Sequence, residues 1–270
     1  MLIYSFLMLL GVIMVLPMVY AVSSAFKPLN EMWIFPPRFF VQNPTGDNFS
    51  SLFGALGESY VPFTRYLFNT VCISVIGTAG HVVISSLCAY PLAKHRFIGS
   101  KVIFHMIVMS LMFTSVATGL ANYLILSKLG WIDSYLAILI PGFGGSLGLY
   151  LMKQFMESNV PDSILESARI DGAAEWRIFW RIVMPIVKPA WLTLIIFSFN
   201  GFWSMGGNAY IYNENLKTLN YAISQIVSGG LARAGAGAAA SVLMMIPPIL
   251  IFVITQSNIV ETMASSGMKE

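Results

Sequence analysis

The sequence predicts an all-α polytopic membrane protein with six transmembrane helices. Apolar residues make up 57% of its 270 residues and charged residues only 10%, where soluble domains carry roughly a quarter. Mean hydropathy is +0.74. Six stretches each supply the about 20 mostly apolar residues that a helix needs to cross a hydrocarbon core of about 30 Å. The whole chain, residues 1–270, reads as one transmembrane domain, with core spans over about 66–259.

The first span runs from about Leu2 to Ala25. It is too long, and too poor in basic residues at its start, for a cleaved secretory signal, so it reads as a retained span. The stretch "FKPLNEMWIFPPRFFVQNPTGDNF", Phe26 to Phe49, is rich in Pro and Asn and reads as an ordered or semi-ordered outer loop. The second span covers about Tyr66 to Ala93. It carries Cys72 and Cys88, which read as buried neutral thiols with neither metal-site nor disulfide spacing. It also carries His81, whose simplest role is a neutral ring hydrogen-bonded between helices; a place on a transport path is the alternative. The remaining spans are expected at about Val102–Leu126, Tyr135–Met156, Pro189–Tyr210 and Gly237–Ile259. Small residues recur, as in Gly77, Ala79 and Gly80, in "GFGGSLG" from Gly142 and in "GGLARAGAGAAAS" from Gly229. They permit close helix approach in lipid, whether for static packing or for helices that slide.

Basic residues set the orientation. Lys94, Arg96 and Lys101 follow the second span, and Lys153, Arg169, Arg177, Arg181 and Lys188 follow the fourth. The loops on the other side are poorer in Lys and Arg for their length, Lys217 and Arg233 being all that the last one holds. The side holding the two basic loops is therefore expected to be cytoplasmic, with both termini there. The net charge of +3 is small, and nucleic acid is not an expected partner.

The segment 159–185 interrupts this oily chain with its densest charge, "ESARIDGAAEWRIFWRIVMP" from Glu166 to Pro185. Asn159 is placed to cap a helix, Pro161 suits its first turn, and Asp162 complements its positive end. Glu166 and Arg169 are spaced to pair at i,i+3, and Ile164, Leu165 and Ala168 form a short apolar strip. Gly172 breaks the run. Trp176, Phe179, Trp180 and Val183 then fall on one helical face, with Arg177 and Arg181 on another, as in a helix lying on a membrane. Pro185 and Pro189 turn the chain into the fifth span. The residues alone allow two readings: a surface loop with an anchoring helix, or a projecting helix shaped to enter a groove of another protein.

The segment resembles the EAA motif of binding-protein-dependent ABC importer permeases. Glu166, Ser167 and Ala168 stand for E-A-A, Asp171, Gly172 and Ala173 for D-G-A, and Ile182 to Pro185 for the I-x-L-P ending, with Ser167 and Met184 as mild departures. "CAYPLAKHRFIGSK", "SKLGWIDSYLAILIP" and "LYLMKQFMESNVPDSILESARIDGAAEWRIFWRIVMPIVKPA" extend the likeness to nearly the full chain. They resemble the carbohydrate branch, specifically the maltose-type second permease. The resemblance implies a type I importer permease whose 166–173 helix is a coupling helix docked in a cleft of an ATPase subunit. It implies four kinds of partner: a second homologous permease, two ATP-binding subunits, an extracytoplasmic solute-binding protein, and a carbohydrate cargo in the bacterial inner membrane. ATP and Mg would sit in the partner ATPase, with no cofactor in this chain and no metal or catalytic site. Consistent with that, no G-x-x-x-x-G-K-[ST] occurs in the sequence, and the glycines of "PGFGGSLG" lack the lysine.

A sugar path needs amides and aromatic faces without strong charge. Asn122 and Tyr123 in the third span fit, as do Asn200, Trp203 and Asn208 in the fifth. Each has an alternative as an interhelical bond or an interfacial belt residue. Here the chain departs from the family: "FWSMGGN" stands where W-N-D is usual, and "LANY" where "IPLY" is usual. Three alternatives to a carbohydrate permease remain open: the same architecture with an amino acid, phosphate or metal chelate as cargo, a secondary transporter or channel working alone, and a non-transporting membrane scaffold.

Overall fold

The computed structural model describes residues 2–57, 60–113, 115–206 and 209–266. Among the described residues there is no strand, only helices and turns. In chain order they are α1 (Leu2–Ala25), the single turn α2 (Leu29–Met32), α3 (Asp47–Gly57), α4 (Phe63–Lys94), α5 (Ser100–Ser110), α6 (Ser115–Lys128), α7 (Leu136–Phe143) and α8 (Ser146–Asn159). After these come α9 (Asp162–Ile170), α10 (Glu175–Ile178), a π-helical stretch Phe179–Val183, α11 (Met184–Ile186), α12 (Lys188–Trp203), α13 (Leu219–Val227) and α14 (Ala234–Ser266).

Four helices among the described residues are long and apolar enough to cross a membrane: Ile3–Ala25, Phe63–Lys94, Leu136–Asn159 and Ala234–Gln256. Glu175–Ile186 and Lys188–Trp203 are together as long and apolar but are bent by 80° to each other, so the described residues hold four such helices, or five if the bent pair is one span, where the sequence predicts six. The bend has a covalent cause. Pro189 has no N–H to give the Pro185 carbonyl and its ring crowds that oxygen, so the axis turns at Val187 as the two prolines predict. The expected third span is not one helix. It is divided into α5, which ends at Ser110, and α6, which begins at Ser115. The Ser110 hydroxyl donates to the Ile107 carbonyl at 2.6 Å and its Oγ accepts from the Ser146 hydroxyl at 2.6 Å; such side-chain bonding competes with the helix ladder. The fifth span also stops early, at Trp203 instead of Tyr210, where "SMGG" begins.

The central element is α4, whose 32 residues extend about 48 Å at 1.5 Å per residue. It packs against α8 and α12 along its length, while α1 lies peripherally against α14. Its face toward α7 and α8 is cut to shape by glycine. His81 is buried, and its Nδ1 lies 3.2 Å from the Phe143 carbonyl, the interhelical bond expected of it. Its ring occupies the space where side chains of Gly145 and Gly148 would be. Phe202 likewise sits where a Cβ on Gly77 would lie, 2.7 Å from its ring. Cys72 is half-buried, but Cys88 is exposed on this chain, contrary to the buried thiol expected.

The stretches expected as loops at the far end of α4 hold two further helices. Leu52 and Leu56 of α3 bury against Ile223 and Ile226 of α13 and Ala239 of α14. Asn48 ties α3 to the end of α1 through bonds to the Ala25 carbonyl at 2.8 Å and the Lys27 carbonyl at 2.7 Å. Glu31 accepts the Gln42 amide at 2.9 Å and so orders the intervening loop.

Gly148→Ala is expected to cost about 1–3 kcal/mol, because its methyl would meet the His81 ring and approach Leu194 Cδ1 to 2.9 Å. Gly54→Ala in α3 has open space at its Cβ and should be neutral or stabilising by up to about 1 kcal/mol. Thermal unfolding of the two purified variants checks the contrast; equal behaviour would show that the glycine notch does not matter.

Candidate functional site

The charged segment is built into the core. Leu165 of α9, Ile178 and Phe179 after it, and Val183 are all buried, and they pack with Met152 and Met156 of α8 and with Ala89 and Tyr90 of α4. Leu165 is the residue of the expected strip that goes deepest; Ala168 is half-buried and Ile164 exposed. The second helix differs from the expected one. The π-helical stretch shifts its register, so that Ile178, Phe179, Val183 and Met184 face inward while Trp176 and Trp180 lie outward, edge to face at 5.7 Å. A regular 3.6-residue period had joined Trp176 and Trp180 to Phe179 and Val183. Arg177 and Arg181 are exposed, as expected.

The start of α9 also differs. Asn159 ends α8, its side chain donating to the Phe155 carbonyl at 3.2 Å, and Pro161 occupies the cap position of α9. Asp162 is in the first turn, as expected, and accepts a hydrogen bond from Lys94 at 2.8 Å. That bond and the Lys94 charge hold its carboxyl below the ordinary aspartate range.

The end of α9 explains the D-G-A stretch. Gly172 has φ +77°, left-handed backbone that a side chain disfavours. The Ala173 amide reaches back to the Ala168 carbonyl and the Gly172 amide to the Arg169 carbonyl, both at 3.0 Å. This is a Schellman cap, and Ala168 with Ala173 supplies its apolar contact. Asp171 is the residue before the left-handed glycine, and it is exposed. Once the chain reverses here, Glu175 returns beside Arg169, and Arg169 Nε meets Glu175 Oε1 at 2.6 Å. The Glu166–Arg169 pair expected from spacing is therefore absent. Glu166 faces solvent and makes no hydrogen bond or ion pair among the described residues.

Glu175 is a junction. Its other oxygen accepts the Tyr90 hydroxyl at 2.7 Å, and His95 Nε2 lies 3.6 Å from it. One carboxylate thus joins α9 to the end of α4, and Lys94–Asp162 makes a second joint between the same two helices. Sequence reasoning missed Tyr90, His95 and Glu175 in this role. An acid in the first turn of a helix is ordinary, and nothing in the spacing tells that it gathers groups 80 residues away. The outward surface of α9 presents Glu166, Ser167 and Asp171, with Ile170 86% exposed at the tip.

The expected pathway residues fall into two places. Asn200 and Trp203 line one cavity of about 350 Å³ between α12 and α14, together with Ser204 and Asn220. Trp203 is buried there, and its indole N–H is bound to the Met244 carbonyl at 3.0 Å. Tyr123 lies elsewhere, its hydroxyl 3.2 Å from that of Tyr212, with half-buried Asn122 beside it in α6. Asp133 braces that corner by accepting the amides of Tyr212 at 2.9 Å and Asn213 at 2.7 Å. Asn208 lies outside the described residues.

Residues 81–265 match the family described as binding-protein-dependent transport system inner membrane component. The chain is 29% identical to the polygalacturonan/rhamnogalacturonan transport system permease protein YtcP of Bacillus subtilis (strain 168), over 96% of this chain and 93% of that protein. It is 28% identical to the galactooligosaccharides transport system permease protein GanQ of the same organism, over 99% and 95%. It is 27% identical to the sn-glycerol-3-phosphate transport system permease protein UgpE of Yersinia enterocolitica serotype O:8 / biotype 1B (strain NCTC 13174 / 8081), over 96% and 94%. The fold is shared with a bacterial ABC transporter involved in the import of the acidic polysaccharide alginate, at a TM-score of 0.76 and 22% identity over 95% of this chain and 94% of that one.

Glu175→Gln is expected to lower stability by about 1 kcal/mol, a charged hydrogen bond discounted for its half-exposed partners. Glu166→Gln, with no partner among the described residues, is expected to leave stability unchanged. Thermal unfolding of the purified protein distinguishes them, and a larger effect at Glu166 would contradict the junction.

Proposed function

The chain belongs to the family of binding-protein-dependent transport system inner membrane components, and from that premise we propose that it is one permease subunit of an ATP-driven importer of sugars or oligosaccharides. Cargo of this class is named for the relatives YtcP and GanQ. In this reading α9 docks into a partner ATPase subunit, which holds ATP and Mg, and this chain hydrolyses nothing itself. A second permease completes the path, and a solute-binding protein delivers cargo at the opposite end of α4. The basic loops 94–101 and 153–188 and both termini are on the cytoplasmic side.

One observation carries the docking role. The inward face of α9 is fixed to α4 and α8 by Leu165, Asp162 and Arg169, while its outward face leaves Glu166 unpaired and Ile170 uncovered. A protein groove would bury the exposed isoleucine and pair the acid beside it. Pulled or pushed, α9 takes the end of α4 with it. On the cargo side, Asn200, Ser204 and Asn220 offer hydrogen bonds of the kind a sugar hydroxyl needs; Asn122 and Tyr123 are a second polar place on the same path.

Glu166→Lys and Gly172→Pro test the proposal in the assembled transporter, reconstituted in vesicles with its solute-binding protein. Proline cannot adopt φ +77° and would also remove the amide bonded to Arg169. Both variants should insert normally, yet oligosaccharide uptake and the ATPase stimulation caused by loaded binding protein should fall by about tenfold or more. Unchanged uptake and stimulation would exclude docking through α9. Vanadate-insensitive uptake would exclude ATP as the energy source, and uptake of amino acids instead of sugars would exclude the carbohydrate cargo.

A further inference from the structure

Beside the joints of α9 lies a cavity that the transport reading leaves unused. It has a volume of about 1100 Å³, is open to the surface, and is bordered by the end of α4, the turn 95–99, the start of α5, α8 and the first residue of α9. Its lining is two-natured. Lys94, Arg96, Lys101 and Lys153 bring four cations against the carboxylates of Glu157 and Asp162. Leu92, Phe97, Ile98 and Phe104 supply apolar wall.

The carboxylates are taken. Lys94 pairs with Asp162 at 2.8 Å and Lys153 with Glu157 at 2.5 Å, both lysines having nearly buried side chains. Lys153 also lies 4.2 Å from the centre of the Phe104 ring. Arg96 and Lys101 are exposed, and their side chains make no hydrogen bond or salt bridge among the described residues, Arg96 reaching Asp162 only as a more distant charge. His95 also lines the cavity, and its buried Nδ1 has no hydrogen-bond partner among the described residues. Two positive charges in the cavity are therefore uncompensated, and the polar lining is incomplete.

We propose that this cavity holds the headgroup of an anionic phospholipid, with Arg96 and Lys101 on the phosphate and the acyl chains running along the apolar side of α5. Three features point to a lipid over a soluble anion or an acidic peptide. The excess charge is positive and matches the negative phosphodiester of an anionic headgroup. The wall beside the cations is apolar, and α5 continues it outward with exposed Val102, Ile103, Met106 and Met109, which suits hydrocarbon. The cavity also sits at the terminus of a helix about 48 Å long, beyond a hydrocarbon core of about 30 Å, and so at the level of the headgroups. A zwitterionic headgroup would bring its own cation into a site that already has two too many. Because the cavity shares Lys94 and Asp162 with the joint at α9, a bound phosphate would stiffen that joint from behind.

The test uses the complete membrane complex as isolated, reconstituted in nanodiscs of phosphatidylcholine containing phosphatidylglycerol, with co-purifying lipid read by native mass spectrometry after delipidation. Wild type should retain phosphatidylglycerol, and the double variant Arg96→Gln, Lys101→Gln should retain it about thirtyfold less, the loss expected of two interfacial cations. The charge-preserving pair Arg96→Lys, Lys101→Arg should restore it, and Arg233→Gln, beside α3, should change nothing. Equal retention by the double-glutamine variant would overturn the proposal. So would displacement of the lipid by millimolar glycerol phosphate, which would make this a soluble phosphate site, or a cross-link from position 98 to another subunit, which would show the cavity filled by protein.

Discussion

The arrangement depends on the half-exposed carboxylate of Glu175, which stands between three groups from two helices. Arg169 comes from α9, and Tyr90 and His95 from the end of α4. Each bond by itself is modest, because water screens the exposed side of the junction. Their joint effect is geometric. Together with Lys94–Asp162 they hold both ends of α9 against the terminus of the longest helix. Beneath them Leu165, Phe179 and Met156 fill the same space with hydrocarbon. The polar joints fix the orientation of α9 and the apolar contact supplies most of the attraction, since fully burying a leucine contributes about 1.5–3 kcal/mol.

Such a joint transmits displacement only if the element behind it is stiff. In lipid there is little hydrophobic drive between helices, and stiffness comes from close approach. The notches at Gly77, Gly145 and Gly148, filled by Phe202 and His81, bring α4 into contact with α8 and α12 along several turns. The polar residues on α4 serve the same end. Asn69 donates to the carbonyls of Asn215 and Lys217 at 2.8 and 2.9 Å, and Thr70 accepts the Leu219 amide at 2.7 Å. Those bonds tie the far end of α4 to the first turn of α13. The place where α9 is held is thus connected to α13, and through α13 to α3 and the start of α14, by one continuous helix.

How much of this was legible in the sequence follows from what kind of signal each feature leaves. Length and hydropathy mark α1, α4 and α14, and the proline pair marks the 80° bend. The helix of Leu52 and Leu56 and that of Leu219, Ala222, Ile223 and Ile226 carry the same i, i+3, i+4 spacing that reveals amphipathic helices elsewhere, but they are hidden among Pro, Asn and Gly that suggest loop. The division of the third span was not legible, because it depends on Ser110 meeting Ser146 from another helix. In the charged segment, Gly172 and the apolar role of Leu165 could be read locally. The partner of Arg169 could not, because the left-handed turn at Gly172 brings a residue six positions away closer than one three positions away.

The same reasoning separates the surfaces that this chain can show to lipid from those it cannot. Exposed apolar helices such as α1 and α5 are satisfied equally by acyl chains or by a neighbouring protein, so their exposure alone decides nothing. Amides decide more. Asn200 is exposed, and Asn220 lines the same opening between α12 and α14, giving its own side-chain N–H to the Ser204 carbonyl at 2.5 Å. Asn200 Oδ1 accepts the Ser204 hydroxyl at 3.4 Å, but its side-chain N–H groups make no hydrogen bond among the described residues, and turning such donors toward hydrocarbon costs several kcal/mol. That face must therefore meet water or another protein, and the apolar flank of α1 closes it on one side through Met18. Trp203 seals the inner wall, since its N–H is already given to the Met244 carbonyl. The opening is thus lined by the polar groups of Asn200, Ser204 and Asn220 and by the apolar Met244, Met245, Pro248 and Ile249 of α14.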